Sequence, residues 1–220
     1  METKRTLCIM LTALLLFIVL TAFVLIDSPP VQNFNHSLYT PIAERIAPGL
    51  TTTAVWISRL THWYSYTPVI LLLLLLSRTR MKAGLPIGIT LGASAIIGPV
   101  ILKNIFAIER PMINPLYDPG GFGYPSGHSM NAAVFFGMCA ILVCRYAKNR
   151  PLKIGLSAFA VLCICAVGLS RIYLGVHTVT DVLGGYLAGI VVICASVIGG
   201  DLWRAKRETN GAREKSSSTA

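Results

Sequence analysis

Eight residues in this 220-residue chain have the types and spacing for one kind of chemistry. Lys103 precedes Arg110 by seven positions, Ser126, Gly127 and His128 are consecutive, and Arg171, His177 and Asp181 share one short stretch. Three cations suit an anion. Two histidines suit proton transfer or nucleophilic attack near neutral pH, and Asp181, four residues after His177, projects from the same helical face. The set has the parts for phosphoryl transfer, where charge on the equatorial oxygens must be stabilised and a nucleophile aligned. Taken singly, each residue has a plainer role. A cation at a helix end snorkels to the interface, an aspartate near a helix N-terminus caps it, and His128 is a polar interfacial residue. Together, with no metal-ligand set beside them, they describe a site for an anion.

Such residues meet only if the elements carrying them do. The chain is 54% hydrophobic and only 13% charged, which places it in the membrane class. Six apolar segments are predicted to span: about Thr6–Ile26, Thr61–Ser77, Ala83–Leu102, Ser129–Cys144, Ile154–Ser170 and Val182–Gly200. The eight residues then fall at the ends of the third to sixth spans, on one side. Between them "NPLYDPGGFGYPSG" is too rich in Gly and Pro for regular structure, and long ordered loops of that kind tend to be functional. The segment Ser28–Leu60 is too polar to span. Thr40-Pro41 and the apolar Val55, Trp56, Ile57 and Leu60 predict short helices in the outer interface. The fold class is therefore all-α and polytopic, with residues 1–203 as one domain and a basic, Ser-rich tail, 204–220, predicted to be disordered.

Orientation follows from the basic residues. One side of the membrane receives 14 of the 19 lysines and arginines against four acids, a net +10; the other has five of each sign. The positive-inside rule makes the first side cytoplasmic, so both termini are expected inside and the eight-residue site outside. The same distribution removes nucleic acid as a partner, because the positive excess follows the loops of a membrane protein; membrane lipids are the partners expected. The first segment follows Lys4 and Arg5, but its apolar core exceeds the roughly 7 to 15 residues of a signal peptide and it lacks a small-x-small cleavage site. It is read as a retained helix. Cys8, Cys139, Cys144, Cys163, Cys165 and Cys194 all lie in or beside apolar segments and read as packing residues.

The three clusters are also three motifs in a fixed order. "KNIFAIERP" is a lysine, six residues and Arg-Pro (Lys103 to Pro111); "PSGH" is Pro125 to His128; "SRIYLGVHTVTD" is Ser-Arg, five residues, His, three residues and Asp (Ser170 to Asp181). Together they resemble the type 2 phosphatidic acid phosphatase superfamily, the membrane lipid phosphate phosphatases. The resemblance implies that His177 is the nucleophile, that Asp181 orients its ring, and that His128 protonates the leaving oxygen. It implies that Lys103, Arg110 and Arg171 clamp the phosphate, with Ser126 and the Gly127 amide completing the cradle. No metal and no cofactor are required, since the cations supply the positive charge. The substrate implied is a lipid phosphate in the outer leaflet: undecaprenyl pyrophosphate, phosphatidylglycerophosphate or phosphatidic acid. The small size points to a bacterial member in the cytoplasmic membrane. A phosphotransferase passing the phosphate to another lipid would use the same site. A transporter of anions or lipid headgroups is the non-enzymatic alternative, but it calls for polar or broken helices near the midplane rather than residues gathered at one interface.

The topology is checked with a membrane-impermeant thiol label on cysteines placed at Asp118 and Lys148. Only the first is expected to react from outside; reaction of only the second would invert the orientation.

Overall fold

The computed structural model of the protein describes residues 2–59, 62–75, 85–110, 116 and 120–218. Its helices begin where local chemistry permits. After α1 (Glu2–Leu25), α2 (Pro29–Ala43) and α3 (Pro48–Arg59) both open with proline, whose missing N–H costs nothing in a first turn. Next comes α4 (Trp63–Leu75). A continuous helical stretch follows, made of α5 (Leu85–Ile96), a π-helical turn (Ile97–Leu102) and α6 (Lys103–Phe106). It stops at Ala107, which has a left-handed φ of 48°. Ser126 caps α7 (Gly127–Tyr146), and Asn149 caps α8 (Arg150–Tyr173) by accepting from the Leu152 amide. The last helix is α9 (Val179–Ser218).

Among the described residues, five helices are long and apolar enough to cross a membrane: Thr3–Leu25, Leu85–Phe106, Gly127–Tyr146, Arg150–Tyr173 and Val179–Lys206. The remaining predicted span, Thr61–Ser77, holds the 13-residue α4, and its outer residues lie outside the described ones. The polar segment after α1 holds α2 and α3, two short helices. α9 continues to Ser218, through residues whose composition predicts disorder. Propagating a helix already held by its packed half costs far less than nucleating one, and Arg, Lys, Glu and Ala all favour it.

The bundle is inside-out relative to a soluble one only on its surface. Leu15, Leu16 and Ile18 of α1 and Phe159, Val161 and Leu162 of α8 are exposed, as a lipid-facing wall requires. The interior is conventional. Met130, Val134 and Met138 of α7 pack on Ala188, Val192 and Ile193 of α9, with Ile87 and Leu91 of α5 closing the cluster. α9 also lies along α1, α7 along α8, and α3 across α8.

α7 and α9 approach closely at the end where Ser126 and Asp181 lie. A Cβ on Gly185 would stand 2.5 Å from the Ser126 carbonyl oxygen and 3.1 Å from the Met130 amide nitrogen. One on Gly189 would stand 3.1 Å from the Met130 carbonyl oxygen. Small residues at membrane-helix interfaces allow this backbone contact. We expect Gly185→Ala to cost about 1–3 kcal/mol by overpacking and to lower activity, because the clash is with the cap of α7 itself. Thermal unfolding in detergent, alongside phosphate release, measures both; an unchanged melting temperature would refute the close-packing account.

Candidate active site

The third motif is two helix ends joined by a histidine. Leu174 ends α8, and Gly175, at φ 68°, takes the left-handed conformation that suits glycine. The Gly175 amide donates to the Ile172 carbonyl at 2.9 Å and the Val176 amide to the Arg171 carbonyl at 3.3 Å, the two bonds of a Schellman stop. Two residues later, the Asp181 amide donates to Thr178 Oγ1 at 3.2 Å, while Asp181 Oδ2 accepts from the Thr178 amide at 2.8 Å. This reciprocal cap starts α9 and fixes the carboxylate. His177 sits between stop and cap, 2% exposed.

Its ring is held on both sides. Nδ1 faces Asp181 Oδ2 at 3.4 Å, and Nε2 faces an Arg110 Nη1 at 3.0 Å. A guanidinium only donates and a carboxylate only accepts, so the proton belongs on Nδ1 and the lone pair on Nε2. Burial pushes the His177 imidazole down to about 4; Asp181 opposes that shift, and Arg171 and Arg110 reinforce it. The ring is therefore neutral at physiological pH, with its lone pair on Nε2.

The cations arrive from three elements. Arg110 is anchored by its Nε to the Gly120 and Gly121 carbonyls at 2.9 and 3.1 Å, and by Nη1 to the Val176 carbonyl at 3.1 Å. The Gly/Pro-rich loop thus orients the guanidinium. Lys103 donates to the Phe122 carbonyl at 2.7 Å and lies within electrostatic reach of Arg110, Arg171 and Asp181. Arg171, 1% exposed, donates to Ser58 Oγ at 2.5 Å. Ser126, fully buried, accepts from the Ser129 hydroxyl at 2.9 Å and its amide at 3.4 Å, so it caps α7. The Ser126 amide in turn donates to the Asp181 carbonyl at 3.0 Å. His128, the second residue of α7, is partly buried and lies within electrostatic reach of Arg171, His177 and Lys103. Gly127 begins α7.

All eight residues singled out by type and spacing thus gather at one end of the bundle. Three supporting residues do not stand out in the sequence. Ser58 holds Arg171 from α3. Asn35 of α2 accepts from the Thr180 amide at 3.1 Å and donates to Thr180 Oγ1 at 3.0 Å, clasping the start of α9. The His62 ring lies 6.1 Å from that of His128. None has a spacing signal, since each meets its partner more than 60 residues away. A cavity of about 430 Å³ opens beside Arg110 and Asp181, bounded by the end of α1 and the start of α2. Among the described residues, no three His, Cys, Asp or Glu side chains are grouped to hold a metal ion.

The profile of the PAP2 superfamily matches residues 83–202, a stretch that contains every one of the eight. The chain belongs to the PAP2 superfamily. An undecaprenyl-diphosphatase of Sulfolobus acidocaldarius is 31% identical over 191 residues, covering 84% of this chain and 87% of that protein. Phosphatidylglycerophosphatase B of Bacillus subtilis is 40% identical over 97 residues, which are 42% of this chain and 46% of that relative, somewhat under half its length. The fold agrees. A crystal structure of a transmembrane PAP2-type phosphatidylglycerolphosphate phosphatase from Bacillus subtilis superposes with a TM-score of 0.76 at 28% identity, covering 89% of this chain and 96% of that one. The protein is thus an enzyme of the membrane lipid phosphatase family.

Asp181→Asn separates the carboxylate's two jobs. An amide oxygen still accepts from Thr178 and keeps the cap, but the side chain no longer enforces a proton on Nδ1. We expect the fold to persist and kcat to fall on the order of 10³- to 10⁴-fold, the scale seen when a triad aspartate is replaced by its amide. Steady-state kinetics with a circular-dichroism melt check this; a fall under tenfold would deny Asp181 the orienting role.

Proposed function

We propose that this protein hydrolyses a lipid phosphate or pyrophosphate at the outer face of a bacterial cytoplasmic membrane, through a phosphohistidine formed on His177. The observation that carries the proposal is the buried, neutral His177 ring, held between the Asp181 carboxylate and the Arg110 guanidinium. A nucleophile needs a lone pair, an oriented ring and a nearby positive field, and this arrangement supplies all three.

In the resting site Arg110 occupies the space at Nε2. The substrate phosphate enters between them, exchanging the N–H···N contact for charge-assisted bonds to phosphate oxygens. Lys103 and Arg171 take the other oxygens, and the α7 N-terminus adds its amides at Gly127. Nε2 attacks phosphorus, the bond to the leaving oxygen breaks, and His128 gives that oxygen its proton. Water then attacks the phosphohistidine with His128 taking a proton back, releasing inorganic phosphate and restoring Nε2. No step needs a metal ion, because three cations already neutralise the developing charge.

The lipid is an undecaprenyl pyrophosphate, a phosphatidylglycerophosphate or a phosphatidic acid. The first two are supported by the names of the relatives above. The topology that fits has six spans, α4 being part of the second. At about 20 Å, its 13 residues need their neighbours to cross. Both termini then lie in the cytoplasm, and α2 and α3 rest in the outer interface over the site.

The test is phosphate release by purified protein, in excess chelator, from these three lipids with and without an acceptor lipid. We expect turnover without added metal and none from folded His177→Ala. Rapid acid-free quenching of the wild type with ³²P-labelled lipid should trap an acid-labile, base-stable phosphoprotein. Strict dependence on a divalent cation, or full activity of His177→Ala, would reject the mechanism.

A further inference from the structure

The end of the bundle remote from His177 carries a second concentration of charge, which the phosphatase chemistry does not use. There α7, α9 and the start of α5 enclose a cavity of about 110 Å³. Met138, Leu142 and Val197 form an apolar wall, and Arg145, Trp203 and Arg204 stand at its polar edge. Asp201 accepts from both arginines, at 3.2 Å from Arg145 and 2.6 Å from Arg204. One carboxylate answers two guanidiniums, so the cluster keeps a net positive charge. The two arginine side chains remain 37% and 42% exposed. Arg145 is 17 residues after His128 on the same helix, about 25 Å away along its axis.

We propose that Arg145 and Arg204 bind the phosphodiester headgroup of an anionic phospholipid at the membrane surface opposite the catalytic end. Guanidinium forks match paired phosphate oxygens, and basic pockets between helix ends select anionic headgroups. The apolar wall and the exposed Leu202 and Trp203 beside it argue for a lipid over free phosphate, because only an amphipathic ligand covers both parts. Asp201 is then a built-in competitor that occupies the arginines until a headgroup arrives. A headgroup bridging the two arginines joins α7 to α9, the helices whose other ends meet at Ser126 and Asp181.

The experiment uses the full chain in neutral detergent, with native mass spectrometry of phosphatidylglycerol against phosphatidylcholine. We expect phosphatidylglycerol to bind at least tenfold more tightly, and the Arg145→Gln/Arg204→Gln double variant to lose that preference while hydrolysing a soluble phosphate ester at the wild-type rate. Asp201→Asn removes the competitor and should tighten phosphatidylglycerol several-fold, a gain that misfolding cannot imitate. Preference retained in the double variant, or lost instead in His177→Ala, puts the lipid at the catalytic end and overturns the proposal. Displacement of phosphatidylglycerol by equimolar inorganic phosphate, or weaker binding to Asp201→Asn, overturns it as well.

Discussion

The hydrogen bond from the Ser126 amide to the Asp181 carbonyl joins two helix starts that are 55 residues apart in the chain. It forms only because α9 presents glycine to α7: Gly185 lies so close to the Ser126 carbonyl that a methyl group would overlap it. That contact places a phosphate-suited helix N-terminus beside the carboxylate that orients His177. Most of the site's order descends from it. The Schellman stop at Gly175 and the reciprocal Thr178–Asp181 cap then leave His177 little freedom between two anchored helix ends.

Electrostatics works in the space this packing creates. Burial removes water from His177, which favours the neutral ring, and the flanking arginines favour it further. The same arginines are what a phosphate would seek. The positive charge gathered there thereby also keeps the histidine unprotonated. Each cation has a holding partner: the loop carbonyls for Arg110, Phe122 for Lys103, Ser58 for Arg171. These bonds orient the cations without neutralising them, since every one of those partners is uncharged.

Much of this was legible in the chain. Apolar length marks the five described helices long enough to cross a membrane, because a membrane demands a long uninterrupted run. Motif spacing marks the site, because Arg171 to His177 is the length of a helix stop and His177 to Asp181 is one turn of the next start. The roles of Ser58 and Asn35 leave no trace in sequence, since a serine or asparagine in a polar connecting helix is unremarkable until its partner is placed.

The sequence by itself determined the membrane class and picked out eight candidate residues that gather at one end of the bundle, because hydropathy, charge and helical spacing are local properties. Only the tertiary structure decided that Arg110 faces Nε2 of His177, and that Ser58 and Asn35 brace the site from α3 and α2. Those are contacts between residues dozens to more than a hundred positions apart. They exist because close helix packing brings the ends together, and no local pattern encodes which atoms then meet.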